Sequence, residues 1–417
     1  MKRRLSVVLL MLTLAVQIST ANAFDDWPQF LGPKRNGISK ETGLLKSWPA
    51  DGLKEVWRVK GGVGNSAVLV VGGKALTMVQ RGGTQRLLVL DAKSGKELHS
   101  TTLASEYSNS MGNGPRATPA VKDGIAYCFT GEGILAAVDI KTGNVKWKKD
   151  VIRETLGRIA EYGMASSPLI IGKNVVVTAG SRRATVAAFD RASGKIAWAA
   201  GEDNATGYSS AAVLKVGGRE QLVVYSGSSA LGVDPTSGKQ LWRFPYRTDY
   251  DCNIATPLAV NGDVFISSGE NHGCALLDLQ KSGAGYKVET RWTSFGRSSS
   301  MRNEWQTSLL IGDHLYGFDN VGGAGPITNL NCVDIKNGEL TWQVRRFGKG
   351  NAIVADGKIW MTTIKGEVVV GTVSPKEYKE LGRQTSLGQT RQAPTLSNGY
   401  LFVRDNADVV CFDVRGR

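Results

Sequence analysis

The sequence is poor in the residues that metal and nucleophile chemistry uses. It has three histidines, His99, His272 and His314, and five cysteines, with no CxxC and no Cys/His cluster, so no zinc site can be assembled at the usual ligand spacings. It also lacks a G-x-G-x-x-G, a P-loop and a Ser/His/Asp signature, which removes the common nucleotide-binding and acyl-transfer readings. Long apolar runs are missing too. Only Leu5–Val16 stands out, and it falls short of the ~20 residues a membrane helix needs. Helical periodicity is absent apart from a turn or so near Ile152–Ile159. Although Lys and Arg total 51 against 37 acids, the bases are scattered singly. No basic block interleaves with aromatics, so the chain does not read as a nucleic-acid binder.

The start of the chain reads as a leader. Lys2, Arg3 and Arg4 precede the apolar run, and Ala21-Asn22-Ala23 is an A-x-A cleavage site. We expect a signal peptide over residues 1–23, cleaved before Phe24. No Cys stands at that site, so the expected location is periplasmic or secreted, and not as a lipoprotein. The leader holds three bases and no acids, so its removal takes the formal charge from +14 to +11. Such a charge favours anionic surfaces, among them envelope polymers. Cys128, Cys252, Cys274, Cys332 and Cys411 are odd in number and far apart, which is not a disulfide framework. They read as small buried hydrophobes, with a Cys252–Cys274 bridge as the alternative in an oxidising compartment.

What the chain has in abundance is repetition. "VLDAKSGKELH", "VDIKTGNVKW", "FDRASGKIAW", "VDPTSGKQLW" and "VDIKNGELTW" share an Asp-to-Gly spacing of four and an Asp-to-Trp spacing of eight, with His99 in the Trp place of the first. A sixth copy around Asp278 has a longer turn, a seventh near Thr372 has lost both Asp and Trp, and an eighth starts at Cys411 and runs out of chain. The Asp can cap free turn N–H groups and the Gly takes the left-handed conformation, while the Trp supplies large apolar area. Asp139, Gly143, Trp147, Asp190, Trp198, Asp234, Trp242, Asp334 and Trp342 therefore read as scaffold, because residues repeated at one slot around a repeat array are structural. A second unit, two apolar strands around a turn such as Asp123-Gly124 or Asn261-Gly262, precedes each copy. Four short strands in about 38–56 residues indicate a β-propeller. The fold expected is all-β, an eight-bladed β-propeller of four-stranded antiparallel blades in a single domain over 53–417, after an extension at 24–52. The orphan "LKEVWRVK" (Leu53–Lys60), with Trp57, closes the ring as the outer strand of the last blade.

The Asp-x-x-[Ser/Thr]-Gly-Lys-x-x-Trp unit resembles the repeat of the pyrroloquinoline quinone (PQQ) propeller superfamily. Within it, the chain is similar to the short PQQ-like repeat proteins of the BamB-type assembly-factor kind. "WPQFLGPKRNG" (Trp27–Gly37) is similar to openings of secreted members. The resemblance implies two functions. One is a non-catalytic binding or scaffold propeller of the cell envelope, for which no cofactor is expected. The alternative is a PQQ-dependent quinoprotein oxidoreductase, alcohol dehydrogenase-like, with PQQ and Ca²⁺. The dehydrogenases commonly carry adjacent cysteines and a Glu/Asn/Asp calcium set, and this sequence has no Cys-Cys pair.

In a four-strand meander, the turns between strands two and three share a face with the blade crossings, and here that face holds the long individual loops. Binding residues concentrate on such loops. Residues just before each inner strand are expected to rim a funnel: Arg116, Tyr162, Tyr208, Asn253, Glu304, Trp305 and Arg391. The rim reads either as a plain solvated edge or as a site for an envelope protein or peptide. An anionic polymer is the lesser partner, and the chain is expected to be a monomer. No catalytic residue and no metal ligand is assigned. "GENHG" (Gly269–Gly273) and "RDNAD" (Arg404–Asp408) hold acids and amides on this face without an established calcium spacing.

Overall fold

The computed structural model describes residues 26–203, 205–322 and 327–416, so the leader read over residues 1–23 lies outside the described residues. Eight four-stranded antiparallel sheets form an eight-bladed β-propeller. Blades 1 to 7 begin at Leu69, Ala120, Leu169, Ala212, Leu258, Leu309 and Gly350. Blade 8 takes Thr395–Ser397, Tyr400–Arg404 and Asp408–Asp413 from the C-terminus and Lys54–Lys60 from the N-terminus. Trp57 pairs with Cys411 there, in the register of Trp147 with Ala137 and Trp342 with Cys332. Lys54–Lys60 thereby covers the edge that Asp408–Asp413 would otherwise expose at the seam, where an open strand edge invites pairing with other chains. The single α-helix among the described residues, Val151–Thr155, lies where the weak helical signal was.

The repeated Asp behaves as a turn cap. Asp190 Oδ1 accepts from the N–H groups of Ala192 (3.2 Å) and Ser193 (2.9 Å) and from Ser193 Oγ (2.8 Å); Asp91, Asp139 and Asp234 do the same. The Gly four residues on is left-handed and returns its N–H to the Asp carbonyl. The preceding blade docks on this turn. Trp57 Nε1 donates to Ala92 O (3.0 Å), Trp147 Nε1 to Arg191 O (2.9 Å) and Trp292 Nε1 to Ile335 O (2.8 Å), always the carbonyl after the Asp. His99 Nε2 meets Ile140 O at 3.0 Å in the same way. The indole lies flat against the Gly: a Cβ on Gly95 would stand 2.7 Å from Trp57. Trp198 packs on Gly238 without a partner for its N–H.

Blade 5 departs from the rule. Its third and fourth strands run on as a long hairpin, Gly273–Ser282 and Gly285–Phe295, and Asp278 accepts from Arg291 and Gln280 instead of capping a turn. With no docking turn offered, Trp242 folds back into blade 4 and donates to Gln221 Oε1 (2.8 Å). Tyr286 spans the gap and donates to Gly217 O (3.0 Å). Blade 7 departs differently. Gly382 occupies its Trp register, opposite Val370, and the missing indole is supplied by Trp48, against which a Cβ on Gly382 would stand 2.0 Å away.

The segment before Leu53 crosses the tight-turn face. Trp27 N–H donates to Val70 O (2.7 Å) and Val121 N–H to Pro28 O (2.8 Å). Arg35 reaches Pro168 O (2.9 Å) and Ser167 O, and Val354 N–H donates to Gly37 O (2.8 Å). Glu41 takes the N–H groups of Asn398 and Gly399 (2.8 and 2.6 Å). Blades 1, 2, 3, 7 and 8 are thereby tied by one strap, with Trp27 and Leu31 buried. At the seam, fully buried Arg404 of blade 8 donates to Met78 O and Thr77 Oγ1 (2.8 Å each) and Gly62 O (2.6 Å) next to blade 1.

All five cysteines are free thiols, which corrects the alternative of a Cys252–Cys274 bridge; Cys274 is buried inside blade 5, while Cys252 lies in the loop before it and is only half-buried. The other four are buried, as small hydrophobes are.

Two outcomes follow from the docking geometry. Trp48→Ala should cost about 2 kcal/mol in denaturant unfolding, less than a fully buried Trp because the indole is half-exposed, and adding Gly382→Trp should recover most of it. An unchanged midpoint in Trp48→Ala would show that the indole is not docked. Turn hydrogen bonds hold the Asp234 carboxyl down to about 2. An ordinary unfolded Asp titrates near ~3.9. A depressed folded value gives stability that is complete above the unfolded pKa and lost as pH falls through the folded one. The melting temperature should therefore drop between pH 4 and 2, and drop less in Asp234→Asn.

Candidate functional site

On the long-loop face the channel opens into a cup of about 420 Å³, within the ~300–1,000 Å³ typical of ligand pockets. The strap supplies Phe30 to its lining, so from the tight-turn side the channel is closed. Around the ring the lining changes character. Asn65 of blade 1 is flanked by Arg391 of blade 8 and Arg116 of blade 2; Tyr162 and Tyr208 enter from blades 3 and 4; Cys252, Glu270, Glu304 and Trp305 come from blades 5 and 6.

The side chains are held by their own loops and by neighbouring ones. Arg116 donates to Tyr162 O, to Gly114 O (2.5 Å) and to Gly112 O (2.6 Å), with its guanidinium 4.7 Å over the Tyr107 ring. Burial, with the Arg391 charge adding, lowers its pKa. Arg391 donates to Met111 O (2.8 Å) and stacks 4.7 Å over Trp305; Lys349 Nζ lies 4.8 Å from the same ring. Glu304 and Lys349 form a half-buried pair at 2.7 Å. Burial pushes the Glu304 carboxyl up, and Lys349 works against the push. Tyr162 and Tyr208 stack at 5.8 Å with 23° between planes, and Tyr250 leans on Tyr162 at 6.5 Å. Tyr250 and Asp251 are both left-handed, φ 54° and 56°, and this tight reversal projects Cys252 into the cup. Burial first, then Glu270 and Glu304, push the Cys252 thiol up to about 12, so it is a protonated thiol and a poor nucleophile at neutral pH.

Of the seven residues expected at the rim, Arg116, Tyr162, Tyr208, Glu304, Trp305 and Arg391 line this one cup. Asn253 does not. Its side chain is fully buried in blade 5, donating to Ser226 O (2.7 Å) and Tyr246 O (3.1 Å) and accepting from Ser268 Oγ (2.6 Å). The alternation along that strand entry turns it inward, and Cys252 and Ile254 face the cup on either side of it. Sequence reasoning missed Phe30, Tyr250, Cys252 and Glu270 as lining residues. Glu270 was visible only as an acid in "GENHG", and nothing in a linear reading of the strap placed Phe30 under the channel.

Neither candidate acidic turn gathers metal ligands. Asp405 Oδ1 caps Ala407 and Asp408 N–H groups (2.7 and 2.6 Å) and Oδ2 takes Gly388 N–H (2.6 Å). Asn271 Oδ1 takes Gly322 N–H (2.9 Å). Among the described residues no group of three His, Cys, Asp or Glu is placed to hold a metal ion, and no helix is long and apolar enough to cross a membrane.

Comparison with known proteins agrees with the architecture. The family model described as outer membrane protein assembly factor BamB matches residues 43–162 and 158–320. The outer membrane protein assembly factor BamB of Yersinia pestis is 21% identical over 318 residues, 72% of this chain and 75% of that one. The quinoprotein alcohol dehydrogenase PedH of Pseudomonas putida is 28% identical over 255 residues, 55% of this chain and 40% of that one; the chain therefore spans less than half of the dehydrogenase. The crystal structure of BamB from Moraxella catarrhalis superposes with a TM-score of 0.61 at 15% identity, covering 87% of this chain and 99% of that one. At that identity the likeness speaks for the fold alone.

The raised Cys252 thiol sets a measurable expectation. Iodoacetamide should label it far more slowly than a free thiol at pH 7.5, and Glu270→Gln should speed the labelling by removing a nearby negative charge. Equal rates in the two proteins would place Glu270 away from the sulfur.

Proposed function

The chain belongs to the PQQ-repeat propeller family described as outer membrane protein assembly factor BamB, and we propose that it is a non-catalytic binding propeller of the cell envelope whose long-loop face and central cup engage a protein or peptide partner. The observation that carries this reading is the way the cup's functional groups are committed. Arg116 is tied to three backbone carbonyls, Glu304 is paired with Lys349, and the Cys252 thiol is protonated. Such a set is preorganised for recognition, with no activated nucleophile and base in hydrogen-bond reach. Exposed Met111, Leu156, Ile159 and Tyr250 lie in loops of the same face and Phe295 at the end of a strand, and apolar groups of this kind anchor protein interfaces. An envelope location is supported by the leader read in the sequence and by relatives named as outer membrane assembly factors.

The donor set of the cup does not fit a quinone held with Ca²⁺. The adjacent cysteines that the dehydrogenase resemblance implies are replaced by a single Cys252, and the half-buried Glu304 already has Lys349 as its counter-ion. The separating experiment incubates the purified protein with PQQ and Ca²⁺, followed by gel filtration and dye-reduction assays with alcohols and sugars. We expect no retained quinone and no turnover; retained quinone with turnover would overturn the proposal. In cells, a photo-crosslinking residue at Tyr250 should capture a discrete protein partner, whereas one at Lys93 on the tight-turn face should not.

A further inference from the structure

The cup's charges are segregated. Arg391 and Arg116 stand on blades 8 and 2, either side of blade 1; Glu270 and Glu304 stand on blades 5 and 6. In a ring of eight, blade 1 faces blade 5, so a cationic arc looks across the cup at an acidic arc. Stacked Tyr162 and Tyr208 form the wall between them.

The two arcs are also unequally satisfied. Arg116 and Glu304 have their partners within the protein, as described above. Among the described residues the Arg391 guanidinium makes a single hydrogen bond, from Nη1 to Met111 O, which leaves the rest of a five-donor fork held over Trp305. The Glu270 carboxylate has no hydrogen bond or ion pair among the described residues, and only its backbone N–H is engaged, by Asn320. Glu270 is left-handed at φ 53°, a conformation disfavoured for a non-glycine residue, and its side chain stands among the lining groups. One unfilled cationic fork and one unfilled carboxylate thus share a partly desolvated cup. A plain anion there would leave Glu270 facing it unpaired, and a plain cation would do the same to Arg391. A ligand carrying both charges satisfies both walls, and each charge-assisted contact is of the stronger kind.

Building on the binding reading above, we propose that the cup takes a short zwitterionic peptide, of about two residues. Its terminal carboxylate lies on Arg391, its terminal ammonium on Glu270, and an apolar or aromatic side chain rests on the Tyr162–Tyr208 wall. A single amino acid fills little of the cup's volume of about 420 Å³.

Isothermal titration with the dipeptide Ala-Phe, its N-acetyl form and its C-terminal amide tests this. Ala-Phe should bind, and blocking either terminus should weaken binding at least tenfold. In Arg391→Met the amide should bind as well as the free acid. In Glu270→Gln the acetylated form should bind as well as the free amine. Melting temperatures equal to the parent protein's would verify the fold of each variant, and the blocked peptides test the idea on the unaltered protein in any case. Equal binding of all three peptides, or binding of none, would overturn the inference. If the Tyr250 crosslink persists while no peptide binds, the cup's ligand class is wrong and the binding reading of the loop face stands; if the crosslink is lost but the peptide preferences hold, the reverse is true.

Discussion

The structure depends on one contact made repeatedly: an indole from the outer strand of one blade laid on the Gly of the next blade's Asp-capped turn, its N–H given to the carbonyl after the Asp. The blades are separate sheets with no shared backbone ladder, so their relative position is fixed mainly by side chains. The contact is strict because its two halves are rigid. The Asp removes the turn's freedom by accepting two N–H groups and often a hydroxyl, and the Gly presents a flat surface without a Cβ. Where the turn is lengthened, as in blade 5, the indole has nowhere to dock and turns into its own blade.

The N-terminal segment repairs what the repeats leave incomplete. Lys54–Lys60 closes the ring, Trp48 supplies the indole that blade 7 lacks, and the strap from Trp27 to Glu41 ties five blades across the tight-turn face. With Phe30 at the end of the channel, the strap also converts a tunnel into a cup. A closed floor means that a ligand enters and leaves by the loop face, and it keeps the lining charges in a partly desolvated space where they interact more strongly than in water.

The scaffold is therefore independent of the task, and this agrees with a family whose relatives include an assembly factor and a quinoprotein alcohol dehydrogenase on one architecture. What distinguishes this chain lies in loops that do not repeat: the Gly112–Arg116 cradle, the Tyr250–Asp251 reversal, and the Glu304–Trp305 step beside Lys349. Their residues are fixed by backbone carbonyls and aromatic faces, so they are preorganised, and preorganisation reduces the entropy lost on binding.

The sequence by itself determined the blade count, the four-strand unit, the closing strand and the scaffold role of the Asp and Trp residues. These rest on local spacing, repeated often enough that one damaged copy changes nothing. It also placed six of seven rim residues, since the positions before the inner strands face the channel in most blades. The tertiary structure alone decided that Asn253 turns inward, that Trp48 stands in for a missing indole, and that the channel has a floor. It alone brought Glu270 and Arg391, 121 positions apart in the chain, into one cup. Such facts depend on contacts between segments distant in sequence, and no spacing rule encodes them: a turn's geometry is settled within a few residues, whereas a pocket's charge pattern is settled only when the ring closes.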